Sequence, residues 1–161
     1  MKTLDIGWQR LVQGGRTCPR CGDTGEEIRK AVATLTPALA LLGIEVHLTE
    51  SQLGADEFGN APLESNRITL LGRDLEEWVG GETGQSQCCD VCGDNDCRTV
   101  NVAGESYETI PADMVVRAGL LAAADLLAGP AAQTGDCCEP TSQADPASAS
   151  QASAPSSACS G

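Results

Sequence analysis

This chain is poor in the residues that usually build a core or recognise a charged polymer. Of its 161 residues only 2% are aromatic (two Trp, one Tyr and one Phe), so aliphatic side chains must do nearly all the packing. Basic residues are also scarce, with 10 Lys+Arg against 23 Asp+Glu and a formal net charge of −13. Phosphate backbones are bound through basic patches, so this balance argues against nucleic acid and equally against anionic membrane surfaces. No apolar run approaches the roughly 20 residues of a membrane-spanning helix. Residues 1–10 lack the continuous apolar stretch of a secretory signal, which points to a cytoplasmic protein. There is one histidine, His47, which gives no support to a His-rich metal site or a Ser-His-Asp triad. No Walker or dinucleotide-binding glycine loop occurs, so no nucleotide cofactor is expected.

Against these scarcities stand nine cysteines. In a reducing compartment such a number points to metal or redox chemistry rather than structural disulfides, and an odd number cannot pair completely within one chain.

The composition changes abruptly at Gly129. Residues 129–161 are dominated by Ala, Ser, Pro, Gln, Thr and Gly, with no Lys, Arg or aromatic residue. Such a segment buries too little apolar surface to offset its ordering entropy, so a disordered tail is expected, carrying Cys137, Cys138 and Cys159. The preceding part, residues 1–128, reads as one α/β domain. Leu4, Ile6 and Trp8 alternate as a strand, and Ile44, Val46 and Leu48 as a second. Between them Ile28, Val32, Leu35, Leu39 and Leu42 recur at helical spacing, with Thr24 and Glu27 at the spacing of a capping box. Pro37 is expected to kink or split that helix. Ile68 and Leu70 mark a third strand, and Leu75 to Val79 a helical turn. Val100–Val102 and Tyr107–Ile110 read as a hairpin. A final helix follows Pro111, with Met114, Val115, Ala118, Leu121, Ala122 and Leu126 on one face. Residues 72–100 form a polar, Cys-rich insertion, long for an unsupported loop.

A β-α-β unit with Cys18-Pro19-Arg20-Cys21 just after the first strand, then a hairpin and a closing helix, resembles the thioredoxin-like fold. More specifically, residues 1–128 resemble the uncharacterised prokaryotic family called domain of unknown function 2703. That likeness rests on Trp8-Gln9-Arg10, Cys18-Pro19-Arg20-Cys21-Gly22, Glu64-Ser65-Asn66-Arg67-Ile68, Leu75-Glu76-Glu77-Trp78, Cys97-Arg98-Thr99 and Ile110-Pro111-Ala112. The first resemblance implies a thioredoxin-like sheet; the second supplies no activity. In thioredoxins a cis-proline precedes the third strand, whereas Glu64-Ser65-Asn66-Arg67 occupies that approach here.

Three groups of cysteines carry chemistry. Cys18 and Cys21 have the spacing for a disulfide or for two ligands on one ion. As a redox pair Cys18 is the nucleophile, Cys21 the resolving thiol, and Arg20 favours the thiolate by its charge. Cys88, Cys89, Cys92 and Cys97 form the second group, and Cys89-x-x-Cys92-Gly93 repeats the knuckle spacing of Cys18-x-x-Cys21-Gly22. Four thiolates are the usual structural zinc set. A strand of six residues spans roughly 20 Å, and an insertion after an antiparallel third strand emerges at the end far from Cys18. A local site within the second group is therefore favoured over a joint one. Cys137 and Cys138, the third group, are lower-ranking ligands.

The leading expectation is thiolate binding of a soft or borderline ion, zinc or another thiophilic metal or metalloid, for sequestration, delivery or structural support. Metal ligands are drawn from Cys18, Cys21, Cys88, Cys89, Cys92 and Cys97, with Cys137 and Cys138 behind them. The rival is a thiol–disulfide oxidoreductase using Cys18 and Cys21 and serving a redox protein partner. A third reading is a structural zinc domain that presents an acidic surface to a protein. His47 is expected on the solvated face of its strand, Glu26-Glu27 and Glu76-Glu77 on helix starts and solvated faces, and Trp8 and Trp78 in packing.

Overall fold

The alternation of Leu4, Ile6 and Trp8 generates a strand that continues past its apolar centre. β1 covers Lys2–Leu11 and buries Leu4, Ile6, Trp8 and Leu11. The computed structural model describes residues 1–88 and 90–129. Cys89, Cys137, Cys138 and Cys159, and with them the expectation of a disordered tail, lie outside the described residues.

β1 is the centre of a mixed sheet. It pairs in parallel with β2 (Ile44–Leu53), from Lys2 opposite Ile44 to Leu11 opposite Leu53. On its other side it pairs antiparallel with β3 (Arg67–Leu70), Ile6 opposite Leu70 and Gln9 opposite Arg67. A short β4 (Arg73–Asp74) completes the order β2-β1-β3-β4. The β1–β2 crossover is the helix α1, Pro19–Ala40. A short helix α2 (Ala55–Asn60) lies between β2 and β3.

Helix α1 starts six residues earlier than the Thr24 capping box suggests. Cys18 is the N-cap in extended conformation, and Pro19 begins the helix where a missing N–H costs nothing. Thr24 is fully buried and donates no cap; its Oγ1 instead accepts from Ile110 N at 3.2 Å. Of the kink or split expected at Pro37, the split does not occur: the helix runs unbroken to Ala40, with Pro37 on its exposed side. The carbonyl it strands, on Ala33, also lies on that exposed side, where water can serve it.

α1 lies tightly on the sheet and on α4, Ala112–Ala128. A Cβ on Gly25 would stand 2.3 Å from the Trp8 ring, and one on Gly119 of α4 would stand 2.5 Å from Leu35 Cδ1. These glycines let backbones approach side chains in a core that has few aromatic rings to fill it. The faces shift slightly from the expected ones: Ala31, Gly119 and Ala123 are buried, while Leu42 and Leu121 are 54% and 42% exposed.

Residues 72–100 are not a loop. Helix α3 (Leu75–Val79) is followed by β5 (Glu82–Gln87), β6 (Asp96–Val102) and β7 (Glu105–Tyr107), which form a second sheet in the order β5-β6-β7. β5, Glu-Thr-Gly-Gln-Ser-Gln, contains no apolar residue and so gives no periodic signal; its backbone ladder with β6, Glu82 opposite Asn101 to Gln87 opposite Asp96, makes it a strand. The expected strand at Tyr107–Ile110 is shorter and earlier. Its turn, Ala103-Gly104, has φ of +52° and +84°, the two left-handed residues of a tight hairpin.

The second sheet is tied to the first by charge. Glu76 is not on a solvated face: it is buried, and Arg98 of β6 lies 2.8 Å from it and 3.2 Å from Asp74. Arg98 also donates to the Leu63 carbonyl at 3.0 Å. Arg67 extends the chain of charges from Asp74 to Glu64. Among the described residues no helix is long and apolar enough to cross a membrane.

Candidate metal centre

The thiols converge where the start of α1 meets the end of β5. Cys18, as N-cap, turns its sulfur back over the first helical turn and accepts from Cys21 N at 3.3 Å. Cys21 follows inside that turn, fully buried, with Sγ 3.7 Å from Ser65 Oγ. Ser65 is itself buried and accepts from Leu11 N at 2.9 Å, so the hydroxyl joins the end of β1 to the thiol.

β5 supplies the other side. It runs back along β6 and ends at Gln87, delivering Cys88 beside the helix start. A 3₁₀ turn, Asp90–Cys92, and Gly93 at φ +60° reverse the chain into β6, whose second residue is the fully buried Cys97. The sulfurs of Cys18, Cys88 and Cys92 all lie within 4.8 Å of one another. Cys97 Sγ is 3.0 Å from Cys92 Sγ and hydrogen-bonds to the thiols of Cys18 and Cys88. The distance expected to separate the insertion from Cys18 is closed by β5. No disulfide joins the described cysteines.

Arg20 holds the two segments together. Its guanidinium donates to Ser86 Oγ at 3.0 Å and to the Gln87 carbonyl at 3.1 Å, and pairs with Glu108 at 2.9 Å. These partners occupy the charge that was expected to favour the Cys18 thiolate. Arg20 is instead a clamp between the Cys-x-x-Cys turn and the residues just before Cys88.

Among these thiols the surroundings favour the thiolate at Cys18. Hydrogen bonds from Cys21 and then Cys97 hold its thiol far below the usual range, against the opposing effect of burial. The donors are correspondingly raised: Cys21 and Cys97 by their bonds to Cys18 and then by burial. Cys92 is pushed up to about 12, chiefly by burial. The N-terminus of a helix adds its own preference for an anion at Cys18.

Two openings reach this group. A cleft of about 400 Å³ lined by Trp8, Arg10, Thr17, Cys18, Pro19 and Gly22 lies on the helix side. A second, of about 330 Å³, has Leu11, Phe58, Cys92 and Asn95 in its wall. The Arg10 guanidinium lies 4.2 Å from the Trp8 ring centroid, lining the first cleft with a cation stacked on an aromatic face. His47 stays apart from this chemistry, exposed on β2 and 3.3 Å from Glu45.

Ser65 and the clamping role of Arg20 escape sequence reading. A serine ahead of a strand and an arginine inside a Cys-x-x-Cys have no periodicity that reveals their distant partners.

The family model described as Domain of unknown function (DUF2703) matches residues 4–119. The chain belongs to this family. The matched region of this DUF2703 member contains all five described cysteines of the site and ends before Cys137. It is similar to an uncharacterized protein of Archaeoglobus fulgidus, 45% identical over 112 residues that cover 70% of this chain and 82% of the relative. No solved structure matches the chain.

Proposed function

We propose that this DUF2703 chain binds a single thiophilic ion through Cys18, Cys88, Cys92 and Cys97. The observation that carries this reading is the convergence of three sulfurs within 4.8 Å of one another from segments far apart in sequence. At a Zn–S distance of about 2.3 Å, tetrahedral ligands stand about 3.8 Å apart, so the group is scaled for one ion. Thiolates select zinc and softer ions over magnesium or calcium, which take oxygen ligands. Burial of Cys18, Cys92 and Cys97, with Cys88 half-buried, limits access of water and suits retention. Cys89 belongs to the same knuckle in sequence, and Cys137 and Cys138 remain lower-ranking ligands.

The test is metal and thiol analysis of one sample of the full chain, purified under reducing conditions without chelator. About one ion per chain is expected, with Cys92→Ala and Cys97→Ala each losing it. Protein that neither retains nor takes up zinc, copper(I) or another thiophilic ion overturns the reading.

A second reading, thiol–disulfide exchange by Cys18 and Cys21, is favoured by one observation: Cys18 caps the N-terminus of a 22-residue helix, a position that activates thiols. The placement of a Cys-x-x-Cys at the start of the β1–β2 crossover, with β3 antiparallel, also supports a thioredoxin-like ancestry. It predicts that Cys18→Ser abolishes reduction of a model disulfide.

A further inference from the structure

The two readings share one atom. Cys18 Sγ is a member of the three-sulfur group and is also hydrogen-bonded to Cys21, its partner in the Cys-x-x-Cys turn. Cys21 Sγ lies 3.7 Å from Ser65 Oγ, and Cys21 is not a member of the three-sulfur group. A sulfur bonded in a disulfide has lost its thiolate charge and is a poor ligand. Cys18 can therefore serve the ion or Cys21, but not both.

We propose that Cys21 is a release switch: a small disulfide entering the cleft over Cys18 drives closure of a Cys18–Cys21 disulfide, which expels the ion. This rests on the ion-binding reading above. Cys18, itself buried, lines the cleft of about 400 Å³, whereas Cys92 lines the separate opening beside Phe58. In the first step the Cys18 thiolate attacks one sulfur of the incoming disulfide; that S–S bond breaks and one small thiolate leaves. Cys21 then gives its proton to that thiolate, and its sulfur displaces the second small thiol, which departs after protonation by water. Two protein thiols are oxidised by two electrons and one small disulfide is reduced to two thiols. The ion is left with one ligand fewer and exchanges into solution.

The experiment uses the full chain loaded with zinc, glutathione buffers of increasing oxidised-to-reduced ratio, a zinc-sensitive dye, and mapping of disulfides by peptide mass. Zinc release is expected to rise in step with the Cys18–Cys21 disulfide and to reverse on reduction. Cys21→Ser and Cys21→Ala are both expected to hold zinc when reduced. Each should need an oxidised-to-reduced ratio at least about tenfold higher for half-release, because a mixed disulfide with free glutathione lacks the effective concentration of a built-in thiol. Three outcomes overturn the switch alone: zinc retained in protein whose Cys18 and Cys21 are joined, an unchanged ratio in both variants, or release accompanied by a Cys92–Cys97 disulfide with Cys18 and Cys21 reduced. Failure of the reduced chain to bind zinc, visible before any oxidant is added, instead removes the ion-binding reading and the switch with it.

Discussion

Arg20 grips Ser86: its guanidinium lies 3.0 Å from the serine Oγ, and the neighbouring Gln87 carbonyl takes a second hydrogen bond at 3.1 Å. An arginine between two cysteines thus fastens the strand that leads into a third. The ladder with β6 holds β5 as a strand, and the Arg20 bonds fasten its end, next to Cys88, to the start of α1.

Arg20→Ala is expected to weaken zinc binding by roughly 10- to 100-fold, the usual effect of losing a group that positions ligands without touching the metal. Arg20→Lys keeps the charge but not the fork, and should recover only part of the loss. Competition against a chromophoric chelator measures both; an affinity unchanged in the alanine variant would refute the clamp.

Proton release should accompany ion binding. Cys92, pushed up to about 12, and Cys97, also raised, are protonated at neutral pH, whereas Cys18 is already a thiolate. Ligation must strip at least the first two protons, so affinity falls as pH falls and rises as pH rises. The expected slope is at least about a hundredfold in apparent zinc affinity per pH unit between roughly pH 6 and 8. Calorimetry in buffers of different ionisation enthalpy counts the protons directly, and a value near zero would contradict the ligand assignment.

The Arg98 network should be structural rather than chemical. Arg98→Met leaves the buried Glu76 without its cation and Asp74 with Arg67 alone, at an expected cost of about 3–5 kcal/mol. Denaturant unfolding of the zinc-free protein reads this, and a loss below about 1 kcal/mol would show that water or rearrangement satisfies Glu76.

Much of the main sheet was legible because Leu4, Ile6, Trp8, Ile44, Ile68 and Leu70 alternate with polar neighbours, and burial of one face leaves little choice of register. The helix start was misplaced because Thr24 and Glu27 mimic a capping box, whereas Cys18 and Pro19 perform the task in fact. Glu76 looked like a solvated acid for the same reason: a local pattern cannot show that Arg98 will be folded over it. β5 was invisible, since a strand without apolar residues is made only by its hydrogen-bonded partner.

By itself the amino-acid sequence determined the kind of chemistry: nine cysteines, one histidine and few cations leave thiolates as the available reagents. Its periodicity also marked β1, β2, β3 and the bodies of the two long helices. Only the tertiary structure decided which sulfurs meet. Cys18 and Cys88 become neighbours because β5 runs back along β6 and Arg20 closes the gap, and those contacts join residues with no local relation in the chain. The same assembly set Cys21 against Ser65 while its backbone N–H donates to Cys18 Sγ, so that one sulfur has both Cys21 and the insertion thiols as neighbours.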